Sequence, residues 1–257
     1  MRNKALLLAC CAIMALCACS DGPPAADTAA PTDPSAYASD ERSFDSQDDG
    51  RQVSEGADGD APGAFAYYLL ALSWSPTYCD QLENAERAPL QCGSDRPFAF
   101  IVHGLWPQNE RGWPRDCPVG ERGDDVPRAL KDEMLDLMPS PALIESQWDR
   151  HGTCTGDTQA DYFATTRSFR ERIAIPQDFV RLSEPLRITG AAVEQAFLTA
   201  NAGLDADAIA VVCNRGRLRE VRVCFTREGD FRSCGQDVRD TCGDEPVTMP
   251  PVRARRG

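Results

Sequence analysis

Two histidines are the residues of this chain best suited to proton transfer. The 257-residue sequence contains His103 and His151 and no other histidine, and each is followed by glycine and lies near a tryptophan. Imidazole gives and takes protons near neutral pH. One imidazole could therefore remove a hydroxyl proton while the other protonates a leaving oxygen. We expect both at the ends of secondary-structure elements, where catalytic residues accumulate.

An amide and a cation accompany the second histidine. Ser140-Pro141 predicts the start of a helix, with serine as the N-cap and proline at the first helical position. On this helix Gln147 and His151, four residues apart, share one face, and Arg150 lies beside them. A fixed guanidinium stabilises the negative charge that develops on a phosphoryl group in a transition state. The three residues are therefore candidates for chemistry on a phosphate ester.

The elements that must position these residues are of mixed type. Periodicity and turn signals predict the strands Phe65–Trp74 and Phe98–His103 (stopped by Gly104), the helices Pro127–Met138, Asp161–Ile173 and Ala191–Ala202, the helix opened by Ser140-Pro141, and a hairpin of Ile209–Cys213 and Leu218–Phe225. Strands and helices do not alternate strictly. This favours an α+β fold, with a central, mainly antiparallel sheet flanked by several helices, over a doubly wound α/β fold.

The first nineteen residues have the pattern of an export signal. Arg2 and Lys4 precede an apolar run that is short for a membrane span. Leu16-Cys17-Ala18-Cys19 is similar to a bacterial lipobox, in which Cys19 would be lipidated and would become the first mature residue. Cleavage nearby without lipidation, or an uncleaved anchor, are the alternatives. We expect an exported protein, either periplasmic or anchored to the outer membrane by lipid, or else extracellular.

Residues 20–63 have the composition of a disordered, acidic linker. They contain eleven acidic and two basic residues and almost no large apolar side chains. Residues 64–257 form the predicted folded domain.

The composition excludes some classes of protein. A content of 42% hydrophobic residues excludes wholesale disorder, and a net charge of −13 argues against a histone-like basic protein. No later apolar run is long enough for a polytopic membrane protein.

Eight cysteines remain after the export signal. They are Cys79, Cys92, Cys117, Cys154, Cys213, Cys224, Cys234 and Cys242. In an oxidising compartment an even number without close-spaced pairs favours four disulfides over a zinc site. Spacing alone leaves their pairing open. We expect no metal and no cofactor.

Two motifs carry a resemblance to a known family. Phe100 to Pro107 contains Phe-x-x-His-Gly-Leu-Trp-Pro, and Arg150 to Cys154 reads Arg-His-Gly-Thr-Cys, preceded by Trp148. Together with Tyr68 to Cys79 and Glu220 to Phe225, they identify the chain as a member of the ribonuclease T2 family of secreted acid endoribonucleases. The resemblance covers about Phe65 to Cys242.

The resemblance implies a chemistry. Family enzymes cleave single-stranded RNA without a metal, through attack of the ribose 2′-OH on phosphorus, and leave 2′,3′-cyclic phosphates. By this resemblance His151 is the general base, His103 the general acid, and Arg150 the group that stabilises the phosphorane. Trp106 would stack on a base with loose sequence preference. The substrate-binding set is Trp106, Ser146 and Gln108, and Gln147 completes the catalytic set. We expect a monomer.

The resemblance also implies the disulfides and exposes two departures. The implied pairs are Cys117–Cys154, Cys213–Cys242, Cys224–Cys234 and Cys79–Cys92. Where family members often have His-Glu, this chain has Ser146-Gln147. Gln147 can donate a hydrogen bond but cannot ionise, so we expect slower turnover or an altered pH dependence.

Two alternatives to an active enzyme of this family follow. One is a catalytically weak or inactive RNA- or protein-binding module on the same scaffold. The other is a metal-dependent hydrolase, which two histidines without clustered acids make a poor fit. For an active enzyme we expect a mildly acidic optimum, because residues 64–257 carry a net charge of −6 and protonation would reduce repulsion from RNA.

Overall fold

Six strands and seven α-helices surround one main core in the part of the chain that the computed structural model describes. That part is residues 61–82, 88–93, 97–118 and 125–253. The strands are β1 (Tyr67–Trp74), β2 (Phe100–Gln108), β3 (Leu186–Ile188), β4 (Ile209–Asn214), β5 (Arg217–Phe225) and β6 (Val247–Met249). The helices are α1 (Ser75–Gln81), α2 (Pro89–Cys92), α3 (Arg128–Met134), α4 (Pro141–Arg150), α5 (Gln159–Glu171), α6 (Gln177–Val180) and α7 (Gly190–Ala200). Short 3-10 helices occupy Gly152–Cys154 and Ala206–Ala208.

The strands form one sheet in the order β2-β1-β5-β6-β3, with β4 paired to β5. Every strand pair is antiparallel except β5 and β6, which run parallel at a single position. The expected α+β class with a mainly antiparallel sheet is confirmed. The hairpin is confirmed as well, and its turn places Arg215 and Gly216 at positive φ (48° and 71°), as a two-residue turn between twisted strands requires.

Strand β1 lies between β2 and β5, and all eight of its residues are buried. Alternate side chains point to opposite faces of the sheet. Tyr68, Leu70 and Leu72 belong to the main core. Leu69 and Ala71 belong to a small cluster on the opposite face, which we call the site face. The apolar run of β1 is continuous because both faces of the sheet are covered at this strand.

Strand β2 does not stop before Gly104, so that prediction was wrong. Opposite β2, Ala71 pairs with Gly104 and Leu72 pairs with Val102, which leaves His103 as an extra residue in a β-bulge. A bulge changes the phase of a strand and re-aims its side chains. The prediction that His103 ends a strand is corrected accordingly: it lies inside β2, and the strand continues past it.

Helix α4 begins as predicted. The Ser140 hydroxyl accepts a hydrogen bond from the Leu143 N–H (3.2 Å), and Pro141 follows at the first helical position. Helix α3 ends at Met134, four residues before the predicted end. Helices α5 and α7 begin and end within two residues of their predicted bounds.

All four implied disulfides are confirmed. The structure contains Cys79–Cys92, Cys117–Cys154, Cys213–Cys242 and Cys224–Cys234. The predicted export signal, its Cys19 and residues 20–60 of the predicted linker lie outside the described residues. Within the described part, no helix has the length and apolar character needed to cross a membrane.

Candidate active site

The bulge in β2 brings His103 onto a buried carboxylate. Its Nδ1 lies 2.7 Å from Oε1 of Glu220 on β5. The imidazole is 13% exposed, while the Glu220 side chain is fully buried. Glu220 is opposite Ser73, whose hydroxyl donates to the same Oε1 at 3.3 Å.

Cations keep this buried carboxylate ionised. Burial acts to raise the pKa of Glu220, but the charges of Arg222, His103 and Arg219, with the hydrogen bond from His103, hold it well below its usual value. The Arg222 Nε donates to Oε2 at 3.0 Å, and the Arg219 Nε lies 4.0 Å from Oε1. An ionised carboxylate can only accept a hydrogen bond. Nδ1 of His103 is therefore the donor in this hydrogen bond, so a proton passed to a substrate would come from Nε2.

The end of helix α4 presents the second histidine. His151 is the C-cap of α4, and its N–H donates to the Gln147 carbonyl at 3.1 Å. The Arg150 carbonyl accepts from the Asp116 N–H at 3.0 Å. The disulfide from Cys154 ties the residues just beyond the helix to the segment that contains Asp116. These bonds hold the last turn of α4 in place.

The indole of Trp106 contacts both histidines. Its ring centroid is 5.2 Å from that of His103 and 5.3 Å from that of His151. The indole N–H donates to Oε1 of Gln147 at 2.7 Å. The structure thus brings four predicted site residues together: both histidines, Trp106 and the buried Gln147.

Glycine is required at position 104 for this contact. A Cβ on Gly104 would lie 1.9 Å from Oε1 of Gln147 and 2.4 Å from Nε1 of Trp106. Real Cβ atoms do not approach other atoms so closely. The hydrogen bond from Trp106 to Gln147 therefore passes directly over the Gly104 backbone.

The remaining predicted site residues lie at different distances from the two histidines. Arg150 is the half-buried last residue of α4, next to His151, and Ser146 lies one turn earlier on the same helix. Gln108 is opposite Tyr67 at the end of β2 and is 5% exposed. Four residues of strand, on the order of 13 Å, separate it from Gly104. The structure does not bring Gln108 to the histidines.

Sequence reasoning missed Glu220 and Arg222. Arg222 is 24% exposed, and its guanidinium carbon lies 5.3 Å from the centre of the Trp106 indole ring. The available signal was the alternation along β5, which places Glu220, Arg222 and Cys224 on one face. The alternation predicts a hairpin, and the segment supports the family resemblance, but neither indicates that this face of the strand belongs to the site. The position of β5 beside β1 makes that face part of the site.

The described residues contain no group of three His, Cys, Asp or Glu side chains placed to hold a metal ion.

The residues that form this site lie in a segment with a family match. The model of the Ribonuclease T2 family matches residues 65–234, which include both histidines, Trp106, Gln147 and Glu220. The chain belongs to the Ribonuclease T2 family. It is an endoribonuclease of this type, and the resemblance found in the sequence is confirmed.

Curated relatives and solved structures agree with this family. A ribonuclease of Aeromonas hydrophila is 35% identical over 211 residues, which are 74% of this chain and 88% of that protein. A probable ribonuclease of Haemophilus influenzae is 37% identical over 123 residues, 43% of this chain and 44% of that protein. The crystal structure of RNase NT in complex with 5′-AMP has a TM-score of 0.59 at 20% identity, covering 73% of this chain and 98% of that one, and shows the same fold.

Proposed function

We propose that this ribonuclease cleaves single-stranded RNA without a metal, by transphosphorylation to 2′,3′-cyclic phosphate ends and with low base specificity. One observation carries the proposal: two imidazoles contact the same indole, 5.2 and 5.3 Å from its centre. They lie on different elements, β2 and the end of α4, so each can face a different oxygen of one phosphodiester.

The proposed reaction moves two protons in opposite directions. His151 takes the proton from the ribose 2′-OH, and the 2′-oxygen forms a bond to phosphorus. The bond from phosphorus to the 5′-oxygen then breaks, and His103 gives its Nε2 proton to that oxygen. Acid–base catalysis of this kind contributes about 10²- to 10⁴-fold in rate per group.

Cations beside the pair suit the charge that develops on phosphorus. Arg150 directly precedes His151, and Arg222 lies over the Trp106 indole. Guanidinium groups stabilise phosphoryl oxygens through charge and hydrogen bonds. We assign phosphate stabilisation to Arg150, and substrate contacts to Trp106 and Ser146. A base stacked on an indole is recognised by its π-face, which every base has.

RNA is the favoured substrate because its 2′-OH is the nucleophile. DNA lacks this group, so it should bind without being cut. Single strands fit because an unpaired base can leave its stack to contact Trp106.

A second candidate function rests on Ser146 and Gln147. Gln147 is buried, accepts from the Trp106 N–H, and cannot ionise. If a carboxylate at this position is indispensable, the protein is a weak or inactive member that binds RNA or protein.

A cleavage assay separates these functions. Purified protein is incubated with single-stranded RNA in EDTA, and the ends are analysed for 2′,3′-cyclic phosphate. We expect cleavage with cyclic ends, its loss in His151→Ala and His103→Ala, and no cleavage of DNA. RNA binding without cleavage would support the inactive module. Cleavage abolished by EDTA would support the metal-dependent hydrolase, and an undiminished rate in His151→Ala would contradict our mechanism.

We also propose export and lipidation at Cys19, with a monomeric enzyme on the far side of the inner membrane. The lipobox-like Leu16-Cys17-Ala18-Cys19 supports this. Mass spectrometry of the mature N-terminus should find lipid on Cys19, and Cys19→Ala should abolish it. An unmodified mature N-terminus at another residue would instead indicate ordinary cleavage.

A further inference from the structure

We propose that Glu220 is a positioning residue for His103: it fixes which nitrogen of the ring carries the exchangeable catalytic proton, and it sets how tightly the ring holds that proton. Arg222 limits this effect by neutralising part of the carboxylate charge. The catalytic consequence rests on the proposed function, whereas the coupling of the three groups is a property of the folded protein.

The first support is geometric. Oε1 of Glu220 is 2.7 Å from Nδ1 of His103, while Oε2 accepts from Arg222 at 3.0 Å. The carboxylate thus bridges an imidazole and a guanidinium, one on each oxygen. Ser73 adds a hydrogen bond at 3.3 Å. The carboxylate is held from three sides, and it holds the His103 ring in turn.

The second support is burial. The Glu220 side chain is fully buried and that of His103 is 13% exposed. Charges out of contact with water interact more strongly than exposed ones, because little solvent screens them. A buried anion at 2.7 Å therefore stabilises the imidazolium form of His103 substantially.

The charged and titratable groups near His103 come from two elements, β5 and the end of α4. Strand β5 contributes Glu220, Arg222 and Arg219. The end of α4 contributes Arg150 and His151, and the ring of Trp106 on β2 contacts the rings of both His103 and His151. Glu220 is the anion among them. Removing its charge leaves the charges of Arg222 and Arg219 without the carboxylate that offsets them next to His103, whereas removal of Arg222 leaves the charge of Glu220 less neutralised.

Two substitutions should therefore shift the His103 titration in opposite directions. Glu220→Gln keeps the shape of the side chain but removes its charge, and should lower the titration midpoint by about one pH unit. Arg222→Gln should raise it. Glu220→Asp retains the charge, so the His103 midpoint in this variant should stay close to that of the parent. A purely structural role of the cluster predicts no such opposition of sign.

NMR titration of the imidazole nitrogens measures this directly, because the chain has two histidines. His151→Ala assigns the signals of His103. In the parent we expect Nδ1 to stay protonated at every pH while Nε2 titrates. In Glu220→Gln this preference should weaken and the midpoint should fall. Asp136→Asn is the matched control, because it removes a carboxylate from an ion pair with Arg167 outside the site; its His103 titration should equal that of the parent.

The pH profile of kcat/KM is the second readout. The alkaline limb, which reports loss of the proton from the general acid, should move to lower pH in Glu220→Gln and to higher pH in Arg222→Gln. Unchanged midpoints in both folded variants, or shifts of the same sign, would overturn the proposal. If Glu220→Gln fails to fold, the tautomer of His103 in the parent decides the question: a neutral ring that carries its proton on Nε2 instead of Nδ1 would overturn the proposal.

The two proposals fail separately. A protein that lacks cleavage activity but shows the opposed NMR shifts would refute the proposed function and leave the coupling intact. Cleavage with an unchanged His103 titration in the variants would refute the role of Glu220 alone.

Discussion

At the residue scale, Trp106 is the side chain that contacts both histidines. Its ring contacts both imidazoles, and its N–H is bound to the Oε1 of Gln147. Movement of the indole would therefore change its contacts with both proton-transfer groups. The position of the indole depends in turn on Gln147 and on the absence of a side chain at Gly104.

Gly104→Ala should test this dependence. The added methyl would overlap Oε1 of Gln147 and Nε1 of Trp106, so the indole must shift. We expect kcat/KM to fall by about 100-fold, because a misplacement of about 1 Å can cost that much. Unfolding free energy should fall by about 1–3 kcal/mol. The measurement is kinetics on protein whose folding is verified by circular dichroism, and a parental rate would show that the contact has no part in activity.

Gln147→Glu should accelerate the reaction. A carboxylate can accept the Trp106 N–H as the amide does, and its negative charge would favour the imidazolium that His151 becomes when it takes the 2′-OH proton. We expect kcat to rise by about tenfold, which corresponds to about 1.4 kcal/mol of transition-state stabilisation. Turnover and its pH profile should be compared with those of the parent, and a fall in kcat would show that the enzyme depends on the neutral amide.

At the element scale, the position of His151 depends on how α4 ends. The disulfide Cys117–Cys154 and the hydrogen bond from Asp116 to the Arg150 carbonyl hold this end. The start of the helix is held separately by Ser140. The two ends of α4 therefore differ in their roles: one stabilises the helix, and the other also orients a site residue.

Removal of disulfides should separate stability from activity. Replacing Cys117 and Cys154 by alanine should cost about 3–4 kcal/mol of unfolding free energy and lower activity per folded molecule, because the last turn of α4 is loosened. The matched control replaces Cys79 and Cys92, which link α1 to α2 away from the histidines. It should cost about 3 kcal/mol with activity retained. Equal activity losses in the two double variants would contradict the anchoring role.

At the scale of the whole molecule, net charge opposes substrate binding at neutral pH. The chain carries −13, and RNA is a polyanion whose binding draws on cationic side chains. Acidification neutralises carboxylates and protonates the histidines. We expect a mildly acidic optimum and a KM that rises with pH. Rate profiles at constant ionic strength check this, and a flat or alkaline optimum would contradict it.

The buried carboxylate of Glu220 also makes the stability of the folded protein depend on pH in acid. Because its pKa is depressed in the folded protein, Glu220 contributes stability that is fully present above about pH 4.5, its ordinary value, and is lost as the pH falls through the lower folded-state pKa. Denaturant unfolding from pH 2.5 to 6 should show stability falling below pH 4.5. The slope of unfolding free energy against pH should be shallower in Glu220→Gln than in the parent. An identical slope would show that Glu220 is not the titrating group.

Local pattern was sufficient for much of this protein. The two motifs identified the family and both histidines, because short contiguous segments contain them. The N-terminus of α4 and the β4–β5 hairpin follow from capping and turn chemistry, which act within a few residues. The disulfide pairing came from the family resemblance, since spacing alone leaves the pairing open.

Tertiary structure alone decided the rest. In the sequence, Gly104 predicts the end of a strand, yet β2 continues through it. The glycine is needed there for another reason: Trp106 and Gln147 approach its backbone too closely for any side chain. In the sequence, Glu220 is one of the polar residues that alternate with apolar ones along a strand. In the structure it is fully buried and contacts His103, which lies more than a hundred residues earlier in the chain. Neither fact is local: each depends on which strand lies next to β1, and that is determined when the sheet assembles.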